Sequence, residues 1–193
     1  MSMKRMIIVF LMVFCFLGTG FAQESNKVGI GVALIDLLQF AMSNAVGVNS
    51  SVVVPIVTSP TFRLEPEIGY YSATEKDEDG TTEESNSTSW RIGLGIFPQK
   101  TMGDFTLYYG GRVGYMNLTE TYESGTYRYE ENVSGFYIAP VVGGEHNFSD
   151  HFSIGGEVQL MYATLDGDNN QNDDTVSLSL FSTRVLGFFR FYF

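Results

Sequence analysis

The sequence of 193 residues is long enough for one domain and is strongly acidic, with a net charge of −11 at pH 7. Twenty-two Asp and Glu stand against 11 Lys and Arg, and this balance disfavours nucleic-acid binding, which depends on basic side chains that neutralise phosphates. Hydrophobic residues make up 44% of the chain, with 16 phenylalanines and 11 tyrosines. Beyond residue 22 no apolar run is long enough for a membrane-spanning helix. A closed β-barrel is then the remaining way for this chain to cross a bilayer.

The first 22 residues have the composition of a secretory signal peptide. Lys4 and Arg5 form a basic start, an apolar run follows over 6–17, and small side chains flank a cleavage position after Ala22. The apolar run is shorter than the roughly 20 residues that a transmembrane anchor needs. We therefore expect a signal peptide over residues 1–22.

We expect the mature protein, residues 23–193, to form a single domain without cysteine. Cys15 is the only cysteine in the sequence, and it lies within the predicted signal peptide. The mature chain then needs no disulfide and offers no thiol chemistry, although it enters an exported compartment. Its net charge becomes −13, because Lys4 and Arg5 leave with the signal and 9 basic residues remain against 22 acidic ones.

The last ten residues carry the clearest alternation, and a strand sends alternate side chains to opposite faces. One face is apolar and holds Val185, Gly187, Phe189, Phe191 and Phe193. The other face holds Arg184, Leu186, Phe188, Arg190 and Tyr192. A water-soluble sandwich would place arginines outside and phenylalanines inside, whereas a membrane barrel turns its aromatics to lipid and its charges to the lumen. The pattern favours the membrane barrel over an edge strand of a soluble sandwich.

Seven further segments alternate in the same way, which predicts an all-β, eight-stranded antiparallel up-and-down transmembrane barrel. These segments are 27–42, 48–58, 61–73, 90–97, 105–115, 136–145 and 152–162. Long polar connections over 75–84, 119–132 and 166–174 alternate with short turns at 59–60, 98–103 and 146–150.

Two details of the strand pattern stay open. Asp36 could instead cap a short amphipathic helix over residues 37–42. Leu178 and Leu180 are out of phase with Phe181, which indicates either a β-bulge or a strand that has already left the membrane.

Charged side chains fall on the inward face once the apolar face is assigned to lipid. This lumen charge network consists of Arg63, Glu65, Glu67, Arg91, Arg112, Glu145, Glu157, Arg184 and Arg190. An eight-stranded barrel is only wide enough for side chains to fill it, and an unpaired buried charge is costly, so we expect these residues to pair. The many inward glycines leave room for long arginines and for water.

The number, phase and loop alternation of the strands resemble the small outer-membrane barrels typified by OmpX and the membrane domain of OmpA. The resemblance covers nearly the whole mature chain but depends on architecture, since no family-specific motif is present. It implies location in the bacterial outer membrane, long loops outside the cell and both termini in the periplasm. It also implies that Phe189, Phe191 and Phe193 form the terminal signal that is read by the barrel assembly machinery.

The function that these features favour is structural or interactive, namely envelope integrity, adhesion, or docking of a surface protein through the extracellular loops. Outer-membrane lipid and lipopolysaccharide are the expected partners, and no nucleic acid is. A narrow gated ion pore, in which the charge pairs rearrange, is the alternative. A secreted barrel of lipocalin type would require polar exteriors that this sequence lacks.

We expect neither a catalytic site nor a metal or cofactor. The only histidines, His146 and His151, fall in a predicted periplasmic turn, the wrong end for surface lipid chemistry. Loop acids such as Asp166 and Asp168 lack the spacing and the closing glutamate of a calcium loop. An outer-membrane lipid-modifying enzyme is therefore the less favoured interpretation.

Overall fold

The computed structural model describes residues 27–36, 48–76, 83–124, 127–169 and 175–193. Its strands are β1 (Lys27–Asp36), β2 (Val48–Val53), β3 (Ile56–Ser59), β4 (Phe62–Lys76), β5 (Glu83–Met102), β6 (Phe105–Ser124), β7 (Tyr127–Ser149), β8 (Phe152–Asn169) and β9 (Thr175–Tyr192). Over these ranges there is no helix long and apolar enough to cross a membrane.

The strands form a closed antiparallel ring. From β3 onward each strand pairs with the next along the chain, and β9 returns to pair with β1. β2 and β3 are two parts of one strand, because both pair with β1 on one side and β4 on the other. Val53 pairs with Glu67 and Ile56 with Leu64, so the register continues across Pro55, which lacks the N–H of a ladder bond. The ring therefore has eight strands, and the predicted barrel is confirmed.

The strands run further than their hydrophobic pattern predicts. The connection expected over 119–132 is mostly strand, since β6 continues to Ser124 and β7 begins at Tyr127. β8 likewise continues to Asn169, into the last predicted loop. Backbone pairing does not require apolar side chains, so polar residues can extend the ladder although the sequence shows no hydrophobic alternation there.

Two of the three short turns, those predicted at 98–103 and 146–150, are tighter than predicted, and one loop cannot be compared. β5 reaches Met102, where Gly103 adopts φ +61°, a left-handed conformation that suits glycine in a tight turn. β1 ends at Asp36 among the described residues. The predicted continuation to Met42 and the alternative helix lie outside them, as does the signal peptide.

The outward face of the barrel carries an apolar belt between two girdles of aromatic rings. The girdle at the end with the long hairpins, called here the loop end, contains Tyr70, Trp90, Tyr115, Phe136, Tyr162 and Phe181. The girdle at the opposite end, with the short turns and called the turn end, contains Phe105, Phe148, Phe152, Phe189 and Phe191. Tyr115 lies between Trp90 and Phe136, with ring centroids 5.9 and 5.4 Å away.

The girdle spacing matches the thickness of a membrane. Phe105 and Tyr115 are ten residues apart on β6, as are Phe152 and Tyr162 on β8. Ten residues of strand extend about 33 Å, and a tilt of about 40° reduces this to about 25 Å along the barrel axis. That is the height of the apolar band of a transmembrane barrel.

Candidate functional site

All nine members of the lumen charge network are buried inside the barrel, each at most 6% exposed. They come from β4 to β9, because every one of these strands turns alternate residues inward. Three layers of contacts follow one another from the turn end towards the loop end.

The layer nearest the turn end is centred on the carboxylate of Glu145. Arg63 Nη1 donates to Glu145 Oε1 at 2.7 Å, and Arg190 Nη1 donates to Oε2 at 2.9 Å. The hydroxyls of Ser153 and Tyr192 donate to the same carboxylate at 2.8 and 3.1 Å. This buried anion is therefore surrounded by four donors, two of them cationic.

The central layer is joined to the first by Arg190. Its Nη2 donates to Glu65 Oε2 at 2.7 Å, so one guanidinium bridges two glutamates from different strands. Arg112 Nη2 donates to the other oxygen of Glu65 at 2.8 Å and lies 3.3 Å from Glu157 Oε1. Arg112 Nη1 lies 2.8 Å from Glu67 Oε2, so this single arginine contacts three glutamates.

The third layer contains the remaining two arginines. Arg91 Nε donates to Glu67 Oε1 at 2.9 Å. Arg184 Nη1 donates to the Gln159 side chain at 2.9 Å, and Gln159 in turn donates to Glu157. A neutral amide thus connects Arg184 to the rest of the network, a role that charge counting alone did not predict.

Aromatic rings fill the spaces between the charged groups. The guanidinium of Arg63 lies 4.0 Å from the centre of the Tyr108 ring, and that of Arg190 lies 3.7 Å from the centre of the Phe188 ring. Such contacts stabilise a cation without adding charge. Tyr108 also donates its hydroxyl to Glu157 Oε2 at 2.8 Å.

Inward glycines make room for particular side chains. A Cβ at Gly69 would come within 2.7 Å of Arg91, as the expected room for arginine requires. At Gly143 a Cβ would come within 2.3 Å of the Tyr108 ring, so there the space is taken by an aromatic side chain. The interior is consequently filled rather than loosely solvated.

Two cavities show how far the lumen is open. A vestibule of about 880 Å³ opens at the turn end and reaches the side chains of Thr106, Glu145 and Tyr192. The void in the middle of the network, lined by Glu65 and Arg112 among others, measures about 10 Å³. A volume of that size holds about one water molecule. The network therefore acts as a plug between the vestibule and the loop end.

The interior becomes apolar beyond the charged layers, which the sequence pattern did not predict. Its buried side chains pack together and are Met116, Val133, Tyr137, Ala139, Met161, Ala163 and Leu165. Leu180 packs against this cluster, and the register between β8 and β9 is unbroken from Phe152 to Asp168. Leu180 is therefore out of phase with Phe181 because it belongs to an apolar interior, and no bulge separates the two residues.

The polarity of the strands inverts at the loop-end girdle on β4 and on β6 to β9, whereas β5 keeps the polar residues Ser87 and Ser89 on its inward face. On β6 the outward side chain is Val113 before the girdle and Thr119 after it, whereas the inward side chain changes from Arg112 to Met116. We call the strand segments beyond the girdle the rim; they comprise 71–76, 83–89, 116–124, 127–135, 163–169 and 175–180. Polar outside and apolar inside is the pattern of a strand in water, so the girdle marks the level at which the strands leave the membrane.

The histidines and the acidic residues of the loops do not come together in a candidate metal site among the described side chains. His146 packs its ring on Phe148 at 4.7 Å, and His151 Nδ1 lies 3.0 Å from the backbone oxygen of Tyr192, both at the turn end. Among the described side chains no group of three or more His, Cys, Asp or Glu is arranged to hold a metal.

Comparisons with known proteins agree with this architecture. A family described as "Outer membrane protein beta-barrel domain" matches residues 8–182. The structure is similar to a major outer membrane protein from Thermus thermophilus, with 10% identity and a TM-score of 0.57, over 88% of this chain and 100% of that chain. It is also similar to Ail, the attachment invasion locus protein of Yersinia pestis, with 15% identity and a TM-score of 0.53, over 89% and 100% of the two chains. No curated protein matches the sequence.

Proposed function

The chain belongs to the outer membrane protein beta-barrel domain family, and from this premise we propose that it is a closed, non-conducting barrel. In this role it contributes to envelope integrity and carries a rim that makes contacts at the cell surface. The observation that carries the proposal is the salt-bridged plug, whose central void is about 10 Å³.

The energetics of the plug support a permanent closure. A conducting path would have to separate Arg112 or Arg190 from glutamates that are at most 4% exposed. Removing one partner from a buried ion pair costs about 3–5 kcal/mol, because the other charge is left uncompensated. Both arginines contact more than one glutamate, so opening the path would break several such pairs at once.

The orientation that fits this role places the rim outside the cell and both ends of the barrel in the periplasm. The support for it is the contrast between hairpins that extend beyond one girdle and turns that are short at the other. A signal peptide over 1–22 would direct the chain to export. Phe189, Phe191 and Phe193 are 39%, 54% and 76% exposed on the outward face of β9, accessible to an assembly machinery that reads this strand.

Single-channel recording in planar bilayers tests the closure. Folded protein, identified by its altered gel migration on heating, should produce no discrete current steps. The double variant Glu65→Ala, Arg112→Ala lacks the central ion pairs. It is recorded beside the parent protein to detect an ion path that these pairs block. Current steps in the parent protein would instead support the narrow gated ion pore. That pore should prefer anions, since five arginines face four glutamates in the network.

A surface pull-down tests the proposed docking role. The β6–β7 hairpin extends nine residues beyond the girdle on each strand, which makes it the longest described projection of the rim. Shortening both strands of this hairpin from its tip, starting with Ser124 on β6 and Tyr127 on β7, should reduce capture of a surface protein from intact cells. Equal capture by the parent and the shortened variant would exclude this hairpin as the docking element.

We propose no catalytic role. The histidines lie at the turn end, away from the rim where chemistry on outer-leaflet lipid would take place.

A further inference from the structure

The lumen holds a second obstruction on the loop-end side of the salt-bridged plug. This apolar cluster comprises Met116, Val133, Tyr137, Ala139, Met161, Ala163 and Leu165. No member is more than 7% exposed, and Ala163 and Leu165 are at 0%. The inward residues Ala73 and Ser89 on β4 and β5 are also buried, at 8% each. The interior of the rim is therefore shielded from water at the level of these residues.

Tyr137 connects the apolar cluster to the plug. It pairs with Gly114 on the neighbouring strand, and Gly114 pairs with Gly93. Gly93 pairs in turn with Glu67, a member of the plug. The tyrosine side chain lies over the two glycines, since a Cβ at Gly114 would come within 2.6 Å of its ring and a Cβ at Gly93 within 2.2 Å of its hydroxyl. The ring therefore extends along the inner wall towards the plug, and the cluster begins directly beside the charged layers.

The plug and the apolar cluster oppose the passage of ions for different physical reasons. The plug consists of charge pairs, and a gated path would form if those pairs exchanged partners. The cluster has no hydrogen-bonding side-chain group except the Tyr137 hydroxyl to replace the hydration shell of an ion, and moving an isolated charge into such surroundings is strongly unfavourable. Constrictions lined by apolar side chains close channels in the same way. An exchange of partners in the plug would leave this second obstruction in place.

We propose that the apolar cluster is a second seal in series with the plug, and that it keeps the lumen shut when the charge pairs of the plug are broken. Met116 on β6 and Leu165 on β8 carry the seal, since both are large, apolar and buried on the inward face of the rim. The inference rests on the proposed function, a closed barrel, and extends it by dividing the closure between two independent elements.

Conductance measurements on a plug variant test the series arrangement. In planar bilayers the parent protein and the plug variant Glu65→Ala, Arg112→Ala should both be silent, because the apolar cluster is intact in each. Adding Met116→Ser and Leu165→Ser to the plug variant shortens two side chains of the seal and makes them polar. This four-substitution protein should produce discrete current steps. Current steps from the plug variant, or silence of the folded four-substitution protein, would overturn the second seal.

Matched controls separate this inference from the proposed function. Thr119→Ser with Thr164→Ser alters the same two strands on the outward face of the rim, and the pair added to the plug variant should leave the protein silent. Current steps from this control would contradict the assignment of the barrier to the apolar cluster. Current steps from the parent would contradict the closed barrel itself, whereas a silent parent with a conducting plug variant would contradict the second seal alone.

Thiol reactivity tests the seal in a barrel whose plug is intact. The sequence contains only Cys15, in the predicted signal peptide, so one substitution introduces a single thiol into the mature chain. Ala163 lies in the apolar cluster, and the plug shields it only from the turn end, whereas Thr164 faces outward and is exposed. A charged thiol reagent should modify the Ala163→Cys variant on the order of a hundredfold more slowly than the Thr164→Cys variant, since reaction at the buried position requires local opening. Equal rates would overturn the seal, and this measurement decides the question even if the four-substitution protein does not fold.

Discussion

The membrane section and the rim of this barrel are built from the same strands with opposite polarity. In the membrane section the outward face is apolar, and the inward face carries Arg112 and its glutamate partners. In the rim the outward face carries Thr119 and its neighbours, and the inward face packs Met116 and Leu165. The register between strands does not change at the boundary. The same alternating strands therefore pass from lipid into water, and only the identity of the side chains changes at the boundary between the two.

The largest difference between the two sections should be the cost of removing an arginine. Arg112→Ala leaves Glu65, Glu67 and Glu157 without their shared partner in the buried plug, which should lower the free energy of unfolding by about 3–5 kcal/mol. Urea unfolding of detergent-folded protein, followed by the fluorescence of Trp90, measures the change.

Arg128→Ala is the matched rim control. Its side chain is 64% exposed and its ion pairs lie at the surface, so the loss should stay below about 1 kcal/mol. If Arg112→Ala unfolded at the same urea concentration as Arg128→Ala, the salt-bridged plug would not be a source of stability.

A smaller effect should distinguish the membrane section of the outward face of β6 from its rim section. Tyr109→Lys places a charge on the apolar belt about midway between the girdle residues Phe105 and Tyr115, where Tyr109 is 63% exposed, and should cost about 2–4 kcal/mol. Thr119→Lys introduces the same charge on the same face ten residues further along, in the rim, and should cost under about 0.5 kcal/mol. Unfolding in lipid vesicles is the measurement. Similar costs at the two positions would show that the girdle does not mark the membrane boundary.

The smallest effect concerns the fit of glycines in the membrane section. Gly143→Ala would press a methyl group against the Tyr108 ring and disturb its hydrogen bond to Glu157, which should cost about 1–3 kcal/mol. Gly187→Ala is the control, since a Cβ there would meet no atom within 4 Å. An unchanged unfolding midpoint for Gly143→Ala would mean that the interior is looser than the contacts indicate.

The sequence predicted most of the fold because a strand with one face towards lipid alternates apolar residues with others in a recognisable period of two. Alternation from Phe193 back to Val185 was enough to assign the two faces of β9 and place Arg184 and Arg190 inside. The same rule failed at the hairpin over 119–132, since polar residues such as Thr119 and Asn132 pair in the ladder without an apolar stripe. It also left two explanations open for Leu178 and Leu180, a bulge or a strand beyond the membrane, and the unbroken register between β8 and β9 excludes the bulge.

The sequence by itself determined the strand count, the inward set of charged residues and the apolar belt, since each of these depends on the period of two in a strand. Only the tertiary structure decided which charges meet. Arg190 reaches Glu65 across 125 residues of sequence, and Gln159 links Arg184 to Glu157. Such pairings depend on closure of β9 onto β1 and on the narrow width of the ring, which bring distant strands within reach of one another. The closure of the lumen and the apolar interior of the rim follow from that packing, which no local pattern encodes.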